Sequence, residues 1–372
     1  MDLPSLGWDG ALAASYISYD APGNMPARVV RVDRGQLDAV GAAGPVRAVI
    51  PPSLLAAARE DPTQYPCTGD WVVLRDPAPV GDHAGPAAHA PMGPSPSLPT
   101  IAAILPRRTS LVRAGAEGRV ALGQVLASNV DTAVIVEGLW PEPDLGRIER
   151  LLALAWESGA QPAVVLTKAD LAPDAEQLRD DVAAAAPGAP VYAVSGVTGA
   201  GVHAIAGYVE RGQTVVFLGP SGAGKSTLTN ALAGEEVMAT RATRADHKGR
   251  HTTARRELVV LPTGGMVIDT PGLRAVGLWE SEAALDQVFA DIDVLARECR
   301  FSDCRHVSEP GCAILAAVED GTLPARRLAS WRKLQREAAW IAARSDARLR
   351  RERLAQWKRI HRDMRRNGQI RP

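Results

Sequence analysis

The stretch VVFLGPSGAGKSTLTN, residues 215–230, decides the fold of this chain. From Gly219 to Ser226 it fits the pattern G-x-x-x-x-G-K-[S/T], after an apolar run and before a helix-forming one. Strand, glycine-rich turn and helix start are the setting in which this pattern binds phosphate. Gly222 and Gly224 let the backbone turn so that successive N–H groups face one anion, and the helix dipole adds positive potential. Gly219, Ser221, Gly222, Ala223, Gly224, Lys225, Ser226 and Thr227 are therefore candidate nucleotide-binding residues. Lys225 would reach the β- and γ-phosphates and assist their transfer, and the Ser226 hydroxyl would bind Mg²⁺. The competing reading, a glycine-rich turn with no ligand, does not account for this context.

Two further motifs surround this loop in an unusual order. VIDTPG, 267–272, places Asp269 at the end of an apolar run, where its carboxylate can hold the Mg²⁺ shell. Gly272 would then offer a backbone N–H to the γ-phosphate. The same residues are also good turn chemistry, so the motif gains its meaning from the phosphate loop upstream. VVLTKADL, 164–171, precedes the phosphate loop. Asp170 could accept hydrogen bonds from the guanine N1–H and N2 amino group, an arrangement adenine cannot satisfy. Lys168 would pack along the base, and Thr167 stands where asparagine is usual. A four-residue string arises often by chance; the run PAVVL before it and VYAVSG after it give it weight. Ser195 and Gly196 would form a second base-contacting loop. The motifs thus run base, base, phosphate, switch, whereas base recognition ordinarily comes last.

Composition restricts the classes open to the chain. Its 372 residues are enough for two or three domains, and 46% hydrophobic with 23% charged residues is ordinary for a globular protein. Aromatics make up 4%, so aliphatic side chains must fill most of the core. The N-terminus lacks the basic start and apolar run of a signal peptide, and no stretch is apolar enough to span a bilayer. Three of four cysteines crowd into 299–312, which points to a reducing compartment, a metal site and a cytosolic location. The net charge of zero hides an asymmetry: residues 326–372 hold sixteen Lys/Arg against four Asp/Glu. A basic tail on an acidic body suggests contact with a polyanion.

Residues 26–113 read as five short strands, ARVVRVD, GQLDAVG, VRAVIPP, GDWVVLRD and TIAAILPRR, separated by Gly, Pro and Asp. They fit a small barrel of the OB type, and an SH3-like barrel would look much the same. Segment 77–99, with seven prolines and three glycines, reads as a mobile loop between two barrel strands. From about Gln124 apolar strands alternate with helices: DTAVIVEGL, a helix through Leu145, Ile148, Leu151 and Leu152 ending at Gly159, QPAVVLTK, a second helix, PVYAVSG, TVVFLG, the helix near Lys225, RELVVLP and GGMVIDT. That alternation predicts a doubly wound sheet covered on both faces.

With all these parts in place, the chain resembles the circularly permuted GTPases of small ribosomal subunit biogenesis, the RsgA/YjeQ family. The likeness runs from about Ala27 to Arg366 and rests on GDWV, QVLASNVD, TKADL, VSG, GPSGAGKSTLTN, GRHTTARREL, VIDTPGLR, the cysteine cluster and WKRIHRDMR. It implies that GRHTT is the first switch, with Thr252 or Thr253 binding Mg²⁺ and sensing the γ-phosphate. Leu273 follows the switch glycine where many GTPases carry a water-orienting glutamine. The resemblance offers His251 as its replacement; support of the loop or contact with RNA is the rival role for this histidine.

Cys299, Cys304, His306 and Cys312 form a Cys₃His set suited to a closed tetrahedral Zn²⁺ site. Segment 281–324 has too little core to fold alone, so metal would supply part of its stability. Cys67 is remote from the cluster and reads as a plain core thiol. The tail has helical periodicity through Leu328, Trp331, Leu334 and Ala338, then Leu354, Trp357, Ile360 and Met364, with arginines opposite.

The expected organisation is an N-terminal tail (1–25), an OB-fold domain (26–113), a circularly permuted GTPase domain (114–280), a zinc-binding domain (281–324) and a basic helical tail (325–372). The expected activity is Mg²⁺-dependent hydrolysis of GTP to GDP by a monomer that assists assembly of the small ribosomal subunit, binding its rRNA and no membrane. Two other classes compete: an RNA-binding assembly factor using nucleotide only as a conformational ligand, and a P-loop ATPase or kinase in which TKAD is accidental.

Overall fold

The computed structural model describes residues 2–76, 98–114, 123–238, 256–270 and 282–341. The chain divides into two compact units, 1–112 with 125–276 and 113–124 with 277–372. Most of the expected Pro-rich loop, both switch segments at 251–255 and 271–281, and the tail beyond 341 lie outside the described residues.

In the first unit Asp9 accepts the Leu12 N–H and starts helix α1 (Gly10–Tyr16), with Leu6 and Leu12 buried. Strands β1 (Asn24–Val32), β2 (Gln36–Gly41), β3 (Gly44–Val49), β4 (Trp71–Arg75) and β5 (Thr100–Ile104) then close a barrel in the order β1-β2-β3-β5-β4. These are the five strands expected from the Val- and Ile-rich runs. Helix α2 (Pro52–Glu60) joins β3 to β4. Ala27, Val29, Leu37, Ala48, Val72, Leu74 and Ile101 fill the interior, where small residues beside large ones suit a narrow barrel.

Strands β6 (Ser110–Ala114) and β7 (Gly123–Ser128) pair as a two-stranded sheet that the sequence did not announce. Beyond them, β8 (Thr132–Gly138), β9 (Gln161–Thr167), β10 (Val191–Ala193), β11 (Thr214–Leu218), β12 (Glu257–Val260) and β13 (Met266–Asp269) form a six-stranded sheet in the order β10-β9-β8-β11-β13-β12. All neighbours run parallel except β12, which is antiparallel to β13. Strands β8 and β11 are buried throughout, the pattern of a parallel sheet covered on both faces. Helix α3 (Leu145–Ser158) begins at Asp144, whose carboxylate accepts the Arg147 N–H, and ends at Gly159 with φ 80°, as its spacing predicts. Helices α4 (Ala175–Ala185) and α5 (Lys225–Ala233) complete the alternation.

GDWV and QVLASNVD meet at the seam between barrel and sheet. Buried Asp70 accepts both arms of Arg107 at 2.7 and 2.8 Å, the Cys67 N–H at 2.8 Å and the Ser128 hydroxyl at 2.5 Å. Four donors offset the loss of water around that carboxylate. Arg28 is fully buried beside Trp71; it donates to the Leu6 carbonyl and to the Asn129 carbonyl at 2.8 Å, and lies 3.5 Å from Met266 Sδ in β13. Burial lowers its pKa to about 10, against the pull of Asp131, so it remains a cation at neutral pH. Gly69 has φ 95°, and an added Cβ would lie 2.2 Å from the Ser128 carbonyl, so only glycine fits there.

In the second unit, helices Glu282–Val288, Ala290–Arg297 and Ala313–Glu319 are followed by a helical run from 325 to 341, the last residue described in that stretch. Of the expected periodic positions in that run, Leu328 and Leu334 are buried and Trp331 and Ala338 half-buried; Ile341 is buried as well, and the positions from Leu354 onward lie outside the described residues. Arg327 holds Asp291 through two hydrogen bonds of 2.8 Å and lies over Phe289.

Candidate nucleotide and metal sites

The carboxyl ends of β8, β9, β11 and β13 share one edge of the sheet, because parallel neighbours in register finish together. The phosphate loop leaves β11 there. Gly219, at φ 155°, packs so closely that an added Cβ would lie 2.1 Å from the Val136 carbonyl of β8. Gly222 and Gly224 also have positive φ, 87° and 90°, so the loop turns where the sequence placed its glycines. Lys225, the first residue of α5, is buried, and its Nζ donates to the carbonyls of Gly219 and Pro220 at 3.0 Å each. Burial lowers its pKa, with the charges of Asp269 and Glu137 opposing that shift. Ser226 and Thr227 follow in the first turn, half-buried, while Ser221 and Gly222 are exposed at the tip.

Asp269 ends β13 opposite Phe217 of β11, which brings its carboxylate to the edge that carries the phosphate loop. The next residue, Thr270, is buried, and its hydroxyl donates to the Phe217 carbonyl at 2.6 Å. An acidic group and a hydroxyl beside a glycine-rich loop suit a hard, oxygen-seeking cation such as Mg²⁺. Gly272, His251, Thr252 and Thr253 lie outside the described residues.

The base-recognition candidates converge on the same edge. Thr167 ends β9, is buried, and donates its hydroxyl hydrogen at 2.5 Å to the carbonyl of Ala223 in the phosphate loop. Lys168 adopts φ 60°, and its Nζ reaches the Trp140 carbonyl at 3.1 Å. Asp170 is exposed in the single turn Ala169–Leu171. Ser195 is buried and its hydroxyl accepts the Thr198 N–H at 3.1 Å, while Gly196 sits against Thr227 of α5. The sequence did not single out Glu137, Gly138 or Trp140. Glu137 of β8 is a buried carboxylate gripped by Arg147 at 2.7 and 2.9 Å, and its charge acts on Lys225. Its only sequence signal is an acidic residue at the end of an otherwise apolar strand.

The cysteine cluster closes in space as well as in sequence. Among the described residues, Cys299, Cys304, His306 and Cys312 place their ligand atoms within 4.8 Å of one another. His306 Nδ1 is 3.5 Å from both Cys299 Sγ and Cys312 Sγ, and those two sulfurs are 3.9 Å apart. A tetrahedron with zinc–sulfur bonds of about 2.3 Å and a zinc–nitrogen bond of about 2.1 Å has edges of about 3.8 and 3.6 Å, close to the three distances among Cys299, His306 and Cys312. Burial lowers the His306 pKa, keeping the ring neutral as a metal ligand must be, with Glu309 opposing and Arg332 assisting. Glu309 accepts the N–H groups of Arg305, Val307 and Ser308, which fastens the loop between ligands. Hydrogen bonds from the backbone of that loop hold its pKa down at about 2. Arg332 donates to the His306 carbonyl, and Trp331 meets the ring edge-on. Cys67 is buried apart from the cluster, and burial raises its pKa, as for an inert core thiol.

The chain resembles known proteins along most of its length. Residues 104–279 match the family model described as RsgA GTPase. The chain is 51% identical over 335 residues to the "Small ribosomal subunit biogenesis GTPase RsgA" of Streptomyces avermitilis, covering 89% of this chain and 84% of that protein. The protein of the same name from Streptomyces coelicolor is 52% identical over 339 residues, covering 90% and 86%. The fold is shared with YjeQ from Thermotoga maritima, at a TM-score of 0.56 and 23% identity over 85% of this chain and 99% of that one. YloQ, described as a circularly permuted GTPase, superposes with a TM-score of 0.54 and 23% identity over 86% and 97%.

Proposed function

The chain belongs to the RsgA GTPase family, and we propose that it hydrolyses GTP to GDP and phosphate as an assembly factor of the small ribosomal subunit. The observation that carries this reading is the junction of TKAD with the phosphate loop. An accidental string has no reason to end the strand whose last hydroxyl binds Ala223. With TKAD held against the phosphate loop, Asp170 is available to read the N1–H and N2 amino group of guanine, which favours a GTPase over an ATPase or kinase.

In this reading the phosphate loop cradles the phosphates and Lys225 spreads the charge of the β–γ bridge. Asp170 reads guanine, with Lys168, Ser195 and Gly196 along the base. Mg²⁺, through Ser226, Asp269 and Thr252 or Thr253, would neutralise charge on the β- and γ-phosphates. The five-stranded order β1-β2-β3-β5-β4, with a helix between β3 and β4, supports an OB-type barrel, a fold that commonly binds nucleic acid. We keep the partition at 26–113, 114–280, 281–324 and 325–372, with barrel, zinc segment and basic tail contacting rRNA of the small subunit and the protein acting as a cytosolic monomer.

Phosphate release with and without purified small subunits tests the proposal. Subunits should raise GTP turnover by more than about tenfold, and GTP should displace bound GDP at concentrations about a hundredfold below ATP. Equal competition by ATP would overturn guanine selectivity. Absence of stimulation would favour the assembly factor that uses nucleotide only as a conformational ligand. Binding to subunits should weaken steeply with salt if the tail neutralises phosphates.

His251 is assigned to positioning the attacking water. His251→Ala should leave GDP affinity unchanged and lower subunit-stimulated turnover about a hundredfold. Stimulated turnover within about twofold of the parent would remove the assignment.

A further inference from the structure

Strand β12 ends the sheet on the side where Asp269 stands. It is only Glu257–Val260, and among the described residues β13 is its one sheet neighbour, with Glu257 opposite Asp269. A strand this short, held by a single ladder, opens easily unless something else supports it. The barrel supplies that support. Strand β1 packs against β12, and the Thr68 hydroxyl donates to the carbonyl of Arg256, the residue before Glu257, at 3.4 Å. Thr68 is buried in the turn 66–70, which is itself fastened on several sides. Its carbonyl accepts the Ser128 N–H at 3.2 Å, and the Gly69 carbonyl accepts the Asn129 side-chain amide at 3.0 Å. The Gly69 N–H donates to the Val29 carbonyl of β1 at 2.9 Å. The same turn comes up against β13: a Cβ added to Gly69 would lie 3.1 Å from Cδ1 of Ile268, the residue before Asp269. Arg28 of β1 lies 3.5 Å from Met266 Sδ at the start of that strand.

We propose that Thr68 is a positioning residue for the metal side of the nucleotide site, through which the barrel turn 66–70 fixes the paired ends of β12 and β13 and hence the place of Asp269. Mg²⁺ accepts little departure from octahedral geometry, so a carboxylate on a loosened strand end holds it less well. The phosphate loop follows β11, and the base candidates follow β9 and β10; all three strands lie beyond β13 from β12. The support should therefore act on the metal and leave the rest of the site alone. The barrel then has a share in placing a Mg²⁺ ligand as well as in any contact with RNA. This inference rests on the GTPase reading above and concerns one side of its site.

The test measures binding of the non-hydrolysable analogue GMPPNP to the full-length protein, in saturating Mg²⁺ and in EDTA. Thr68→Val keeps the shape and removes the hydroxyl. It should bind GMPPNP about fivefold more weakly in Mg²⁺, the scale of one lost hydrogen bond, and within about twofold of the parent in EDTA. In turnover, the Mg²⁺ concentration that half-saturates GTP hydrolysis should rise by a similar factor, with kcat at saturating Mg²⁺ within about twofold. Thr68→Ser keeps the hydroxyl and should restore the Mg²⁺ effect. If Thr68→Val does not fold, Thr68→Ala carries the same expectation. An unchanged gain from Mg²⁺ in the folded variant would overturn the proposal. Equal weakening with and without Mg²⁺, or failure of Thr68→Ser to restore it, would reduce Thr68 to a packing residue and overturn it as well. If the parent binds AMPPNP as tightly as GMPPNP, the GTPase reading fails instead, and the Mg²⁺ comparison still tests Thr68.

Discussion

Lys225→Ala is expected to lower kcat/KM for GTP about a thousandfold, or about 4 kcal/mol of transition-state stabilisation. The ammonium is the one charge that the phosphate loop itself brings to the transferred group, and it opens helix α5 where the N–H groups converge. The fold should not suffer in proportion. Burial lowers the Lys225 pKa from 10.5, although Asp269 and Glu137 pull the other way. Between the lowered folded value and 10.5 the unfolded chain holds more protons, so stability rises with pH through that window. At neutral pH, below the window, the native state carries the full cost of a charged lysine. Removing the side chain removes that cost and leaves two carbonyls to be rehydrated. The nucleotide-free variant should therefore melt within a few degrees of the parent at pH 7.5, and the parent should gain on it as pH rises toward 10.5. Turnover near the parent's would deny Lys225 its role. A collapse in melting temperature matching the loss of activity would make that role structural.

The second large effect concerns the metal centre. Stripping zinc, or replacing one ligand as in Cys304→Ser, should unfold the loop that carries Cys299, Cys304, His306 and Cys312. Structural zinc sites contribute on the order of 10 kcal/mol of folding free energy. The purified protein should contain about one equivalent of zinc. Chelation should change the near-ultraviolet signal of Trp331, which meets the His306 ring edge-on. GDP affinity should hold, because the candidate nucleotide residues belong to the other unit, built from 1–112 and 125–276. A folded, metal-free protein with three freely reactive thiols in 299–312 would exclude the centre.

Permutation adds a consequence at the level of connectivity. With the base loops moved ahead of the phosphate loop, VIDTPG becomes the last nucleotide motif and runs directly toward the zinc segment and the basic tail. The residue that ends β13 is thus joined, with no further sheet strand among the described residues between, to the part proposed to contact rRNA. In an unpermuted chain the base-recognition segments would intervene.

The parts legible in the sequence are those whose physics is local in the chain. A phosphate loop needs successive N–H groups on a tight turn, so Gly219, Gly222 and Gly224 must be close in sequence, and all three adopt positive φ. Three thiolates and an imidazole within one short loop can surround one ion, so their spacing announces the cluster. Apolar runs such as 132–138 and 214–218 read as buried strands because strand burial is a property of consecutive residues. The reversed motif order is legible too, since a sheet requires neighbours in space and not in sequence.

What the sequence could not contain is the set of partners reached across strands. Nothing in TKAD says that Thr167 binds Ala223, because that contact exists only once β9, β8 and β11 lie side by side. Likewise GDWV and QVLASNVD are visible as strings, but Asp70 finds Arg107 and Ser128 only at the seam between barrel and sheet. The choice of Nδ1 on His306 was equally hidden, since it depends on a loop turned at φ 56° and clamped by Glu309. The chain alone determined the chemical inventory and its permuted order, because turns, strands and ligand clusters form among near neighbours. Only the tertiary structure decided which hydroxyl, carboxylate and ring nitrogen face which partner, because a hydrogen bond is a relation of distance and direction that sequence separation does not encode.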